Sequence, residues 1–132
     1  MDFILKNKKI FGIIFWCWAA FILFISIIPS GPEMKTELNG RSVRLDYLFH
    51  FIAYLTLAIF YLLWKANKYF NLKPRLLYSF LIGGLILAAG SEAVQSIIPE
   101  RTFNPYDFYA NAAGIIVGVI TPKLIFIRKD NQ

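Results

Sequence analysis

Four runs of about twenty apolar residues decide most of what this chain can fold into, lying at roughly residues 10–28, 45–64, 76–98 and 106–127. The hydrocarbon of a bilayer, about 30 Å thick, is crossed by about 20 helical residues. Inside it every backbone N–H and C=O must find a partner within the protein, which leaves helices or closed barrels. Runs this long and continuous read as helices. Composition settles the alternative of a soluble core: 58% of the 132 residues are hydrophobic and the mean hydropathy is +0.55, too apolar for a soluble domain of this size. The expected fold is an all-α integral membrane four-helix bundle, a single domain over residues 1–132, with no internal repeat, low-complexity tract or separate soluble part.

The first run follows Lys6, Lys8 and Lys9 and resembles a signal peptide in outline. Its apolar part exceeds the usual hydrophobic region of about 7 to 15 residues, and "IIPSGPEM" has no A-x-A-like cleavage site, so it reads as a retained anchor. Cys17 stands alone in this run and is read as packed and inert.

The formal charge of +6 would suggest a nucleic-acid partner in a soluble protein. Here the basic residues sit between the apolar runs, so the charge is read as topology and no nucleic acid is expected. Lys6, Lys8, Lys9, Lys65, Lys68, Lys73, Arg75, Lys123, Arg128 and Lys129 fall on one side, against Lys35, Arg41, Arg44 and Arg101 on the other. The positive-inside rule then puts both termini in the cytoplasm and the loops at 29–44 and 99–105 outside, for a multi-pass protein of the inner (cytoplasmic) membrane. The short loop "PERTFNP" makes the third and fourth spans antiparallel neighbours.

Polar residues inside the spans are few and ordered. Asp46, His50 and Tyr54 recur every fourth residue and form one stripe; Glu92 and Gln95 share a face of the third span; Asp107, Asn111, Gly114 and Gly118 share a face of the fourth. At about 1.5 Å of rise per residue, His50, Glu92 and Asn111 all lie about 9 to 10 Å below the outer ends of their helices, with Asp46, Gln95 and Asp107 in a shallower layer. A charged side chain at the centre of a span costs about 2.5 to 3.5 kcal/mol, so these groups are expected to face one another and not lipid. They define an outward-facing polar pocket, with Arg101 over its mouth. Gly114 and Gly118 form G-x-x-x-G, which permits a close helix approach and makes a homo-oligomer conceivable.

These residues resemble the VanZ-like family of small bacterial membrane proteins. The match runs through "FISIIPS" (24–30), "DYLFHFIAYLTLA" (46–58), "EAVQSIIPER" (92–101) and "DFYANAAGIIVG" (107–118), and its specificity lies in the ordered set D-x-x-x-H, E-x-x-Q, R and D-x-x-x-N-x-x-G. One departure is Tyr47, where such proteins often carry Lys after the Asp. The resemblance implies a multi-spanning envelope protein, and the family's namesake is associated with resistance to the glycopeptide teicoplanin.

Five roles compete for the polar layer. It is a hydrogen-bonded staple, although three carboxylates and a His are a costly way to obtain bonds worth about 0.6 kcal/mol each in membranes. It is an acid/base centre, with His50, Glu92, Asp46 and Asp107 as catalytic candidates and Gln95, Arg101 and Asn111 as binding residues, for hydrolysis or group transfer on a lipid-linked or wall-derived substrate. It is a metal site, for which no single-helix ligand spacing is present, so none is assigned and no cofactor is expected. It binds a membrane lipid or amphiphilic envelope ligand without turnover, in keeping with the acyl chain that teicoplanin has and vancomycin lacks. Proton-coupled transport is the last, and it lacks a titratable residue in the inner half of any span.

Overall fold

A computed structural model describes residues 2–28, 35–38, 41–67, 69–98 and 104–130. A one-turn helix α1 (Asp2–Lys6) leads into α2 (Lys8–Ile27); a hairpin of β1 (Lys35–Leu38) and β2 (Arg41–Arg44) follows, then α3 (Asp46–Lys65), α4 (Pro74–Gln95) and α5 (Pro105–Asp130). Three of these, α2, α3 and α4, are long and apolar enough to cross a membrane, so this is a membrane protein with an all-α body. The expected spans match the four long helices to within three residues at each end. The strands lie in the connection before α3, where Leu38 pairs with Arg41 and leaves two residues, Asn39 and Gly40, to join them.

Contacts fix the directions of the helices. Trp18 donates from Nε1 to the Ala53 carbonyl at 2.9 Å and the Lys8 ammonium donates to the Ala66 carbonyl at 2.7 Å, so α2 runs against α3. Tyr54 meets Ser91 while Tyr61 donates to the Leu76 carbonyl, so α4 also runs against α3. A methyl added to Gly114 would strike the Phe51 carbonyl and the Leu55 amide, and one added to Gly118 would lie 2.7 Å from the Ala58 methyl. These rising pairs make α5 parallel to α3, in near backbone contact. The G-x-x-x-G stripe is thus spent on α3 within the chain, as small-residue stripes in membranes allow. The start of α2 and the end of α5 share one end of the bundle, and the hairpin lies at the other.

The core has two regions. Toward the terminal end, Phe15, Tyr61, Trp64 and Phe80 form an aromatic cluster, with Tyr61 and Phe80 stacked at 4.3 Å. Toward the hairpin end the buried residues are polar: Ser91, Glu92, Gln95, Asp107 and Asn111. Between the two, Tyr54, Leu57, Ala58, Ala88 and Ile115 fill the centre.

Cys17 departs from the expected burial: it is exposed on α2, beside Lys9, Gly12, Ile13, Trp16 and Trp64 along an open groove of about 480 Å³. Lipid tails are as apolar as a protein core, so a thiol gains nothing by turning inward. Trp16 also faces outward, whereas Trp18 is half-buried through its bond to α3. Trp64 stands at the end of α3 with Lys65 above its ring at 3.7 Å, and its indole also packs on Gly12 and Phe15. Of the neighbouring glycines, Gly84 lies against Ile115 and serves close packing, while Gly83 faces open space.

Candidate functional site

The polar side chains at the hairpin end converge because each helix presents one face there. α3 begins at Asp46, and its every-fourth-residue stripe turns inward, leaving Asp46 and His50 half-buried and Tyr54 buried. α4 buries Gly84, Ala88, Ser91, Glu92 and Gln95, a face of small residues that widens to polar ones at its end. α5 starts at Pro105, whose missing N–H costs nothing in the first turn. Asn104 caps it, its side-chain oxygen accepting from the Tyr106 amide at 3.1 Å. That start places Asp107 and Asn111, one turn apart, facing α3 and α4.

Four residues from three helices meet. Asn111 donates from Nδ2 to Glu92 Oε1 at 3.2 Å, and its Oδ1 lies 3.1 Å from His50 Nδ1. His50 Nδ1 is also 3.7 Å from Glu92 Oε1, and its Nε2 is 3.9 Å from Asp107 Oδ2. Glu92 and Asn111 are almost wholly enclosed, at 1% and 0% exposure, and Asp107 is buried, whereas the His50 side chain keeps 21%. The cluster therefore reaches its surroundings through the edge of one imidazole.

Hydrogen-bond logic fixes the proton on that ring. An ionised Glu92 only accepts, so the Asn111 amide must turn its NH₂ toward Glu92 and its oxygen toward His50. Nδ1 of His50 must then carry a hydrogen, and Nε2 faces Asp107. One ring spans both layers expected from depth because a helical side chain leans toward its own N-terminus. Nδ1 meets Asn111 at its own level, while Nε2, farther out, meets Asp107 a turn higher. Asp107 accordingly belongs with His50 and not to a separate shallow layer.

Of the other expected site residues, Gln95 is buried on α4 one turn beyond Ser91, and Asp46 stands one turn outward of His50. Arg101 lies outside the described residues, as does the pocket mouth assigned to it. The sequence reading passed over Ser91. Its hydroxyl donates to the Ala88 carbonyl at 2.8 Å, which leaves the Tyr54 hydroxyl to donate to Ser91 Oγ at 3.0 Å. The signal was present in the spacing Gly84, Ala88, Ser91, Gln95, one small or polar face of α4.

One nitrogen of His50 and one oxygen each of Glu92 and Asp107 lie within 4.8 Å of one another, a mixed donor set drawn from three helices. A flanked imidazole of this kind can hold or relay a proton, accept a polar headgroup at its open edge, or contribute to a cation site. A family model described as VanZ/LLP1 matches residues 9–126. No match was found among curated proteins or among solved structures.

Proposed function

The chain belongs to the VanZ/LLP1 family, and on that footing we propose that it is a multi-pass protein of the bacterial cytoplasmic membrane whose polar cluster receives the headgroup of an envelope lipid or amphiphile. Both termini are cytoplasmic in this reading and the hairpin end faces outward, in accord with the ten-to-four bias of basic residues between the two ends. The observation that carries it is the unequal burial of the cluster: Glu92, Asn111 and Asp107 are enclosed, and His50 is left exposed at its edge. A staple would gain nothing from leaving its one ring open. A receptor needs such an edge, backed by groups that hold it in place.

Occupancy of this site alters susceptibility to membrane-anchored glycopeptides, of which teicoplanin is the acylated example. The test is susceptibility of a host expressing wild type, His50→Ala or Glu92→Gln, at membrane levels matched by immunoblot. Wild type is expected to shift the response to teicoplanin and not to vancomycin, and both variants to lose the shift. Variants that protect as well as wild type would reduce the cluster to a staple.

A second reading, a hydrolase or transferase for a lipid-linked or wall-derived substrate, has one observation in its favour. Carboxylates flank both ring nitrogens of His50, Glu92 on one side and Asp107 on the other, the arrangement an acid/base imidazole needs. It predicts a new lipid-linked product in membrane extracts of cells expressing wild type and none with His50→Ala combined with Glu92→Gln.

A further inference from the structure

We propose that the open groove between α2 and the end of α3 seats one acyl chain of an anionic phospholipid, with the Lys9 ammonium taking the lipid phosphate. The groove lies at the terminal end of the bundle, away from His50, and no residue of the polar cluster lines it.

One helix face and one indole give the groove its shape. Lys9, Gly12, Ile13, Trp16 and Cys17 recur at three- and four-residue steps along α2, and Trp64 of α3 forms the facing wall of a space of about 480 Å³. A methyl at Gly12 would lie 2.8 Å from the Trp64 indole nitrogen, so the missing side chain is what admits the ring. Phe15 and Trp16 pack on the same indole, at 5.6 and 6.5 Å between centroids, and Lys65 covers it at 3.7 Å. The wall is therefore fixed before any ligand arrives.

The order of the lining residues is that of a phospholipid. Lys9 is the second residue of α2, at the end of the span, and Cys17 lies eight residues further in, about 12 Å at 1.5 Å per residue. A charged group thus stands at headgroup level, and an apolar trough runs from it toward the bilayer centre. Hydrocarbon fills such a trough, since the bilayer core offers no water to do so. Charge decides which lipid supplies the hydrocarbon.

That charge favours an anion. α2 contains no Asp or Glu, and α3 contains Asp46 alone, at its far end. Lys6, Lys8, Lys9, Lys65, Lys73 and Arg75 all stand at the terminal end. Lys8 is committed to the Ala66 carbonyl at 2.7 Å and Lys65 lies over Trp64, so the exposed Lys9 is the cation of the groove itself. Basic side chains set between spans commonly hold anionic headgroups.

The experiment uses the full chain carrying Trp18→Phe, whose remaining tryptophans, Trp16 and Trp64, both line the groove. It is reconstituted in phosphatidylcholine vesicles containing rising fractions of either brominated phosphatidylglycerol or brominated phosphatidylcholine, with wild type in parallel. Bromine quenches indole emission on contact, so the curves read lipid occupancy beside the two rings. Half-quenching is expected at an about fivefold lower fraction of the anionic lipid, the equivalent of about 1 kcal/mol for one ammonium at an anionic headgroup. Lys9→Gln is expected to bring the two curves together. Lys6→Gln, which removes the same charge from α1 outside the groove, is expected to leave them apart. Equal quenching by the two lipids in wild type would overturn the proposal whatever the variants do. Equal loss of preference in Lys6→Gln and Lys9→Gln would also overturn it, making the preference a property of the whole basic end. A groove closed by a second copy of the chain would show as quenching by neither lipid and as a dimer linked through Cys17 on oxidation, and would overturn it as well.

Discussion

Asn111 has two amide atoms to place and two helices to face. Its NH₂ goes to Glu92 on α4 and its oxygen to His50 on α3, so one side chain on α5 ties all three helices. Among the described residues, Tyr54 makes one interhelical bond, to Ser91. Such bonds are worth about 0.6 kcal/mol on average in membranes and at most about 1.7. Tyr54→Phe is therefore expected to cost about 0.6 kcal/mol, and Asn111→Ala about 1 to 2 kcal/mol because contacts to two helices are lost at once. Unfolding of the purified protein in mixed detergent and dodecyl sulfate measures both, and equal losses would take the bridging role from Asn111. His50, Glu92 and Asn111 were legible in the sequence as polar residues at matched heights, with Asp107 read into a shallower layer. Which nitrogen meets which partner was not, because it depends on the lean of the imidazole along α3, a three-dimensional fact with no signature in spacing.

At the scale of elements, the close pairing of α3 with α5 is what brings Asn111 to His50. Gly114 and Gly118 admit the backbone of Phe51 to Leu55 into the space a side chain would occupy. Gly114→Ala is expected to force the helices apart, lowering the melting temperature in detergent and weakening the His50–Asn111 contact. Gly83→Ala is the control: nothing lies within 4 Å of the added methyl, so the better helix propensity of Ala leaves stability unchanged or raised by up to about 1 kcal/mol. Equal destabilisation by the two substitutions would refute the glycine-mediated contact. The sequence announced G-x-x-x-G but not its partner, since a small stripe serves a neighbour in the same chain as well as one in another. It placed the helices well and overran the end of α4 at 98, where Ile97 and Ile98 keep the apolar run going after the helix has stopped at Gln95. The hairpin was legible and passed over: Asn39-Gly40 between two short strands is a strong two-residue turn signal.

For the whole molecule, alternating helix directions put the loop between α3 and α4 on the same side as both ends of the chain. Reporter fusions in the 66–73 loop are expected to behave as cytoplasmic, and fusions within 29–44 as external. The reverse pattern would invert the proposed orientation and place the polar cluster on the inner face. The parallel pairing of α3 and α5 also bears on how the protein is made. On the proposed multi-pass reading, Asp46 and His50 enter the bilayer with α3, but Glu92 emerges about forty residues later and Asn111 later still. Until α5 arrives, His50 is without Asn111 and Asp107. At about 5–20 residues per second of synthesis, that interval lasts several seconds. On the proposed multi-pass reading, closure of the cluster waits on α5, the last helix to be made, so a chain stopped before residue 105 lacks both the Asn111 and the Asp107 that meet His50.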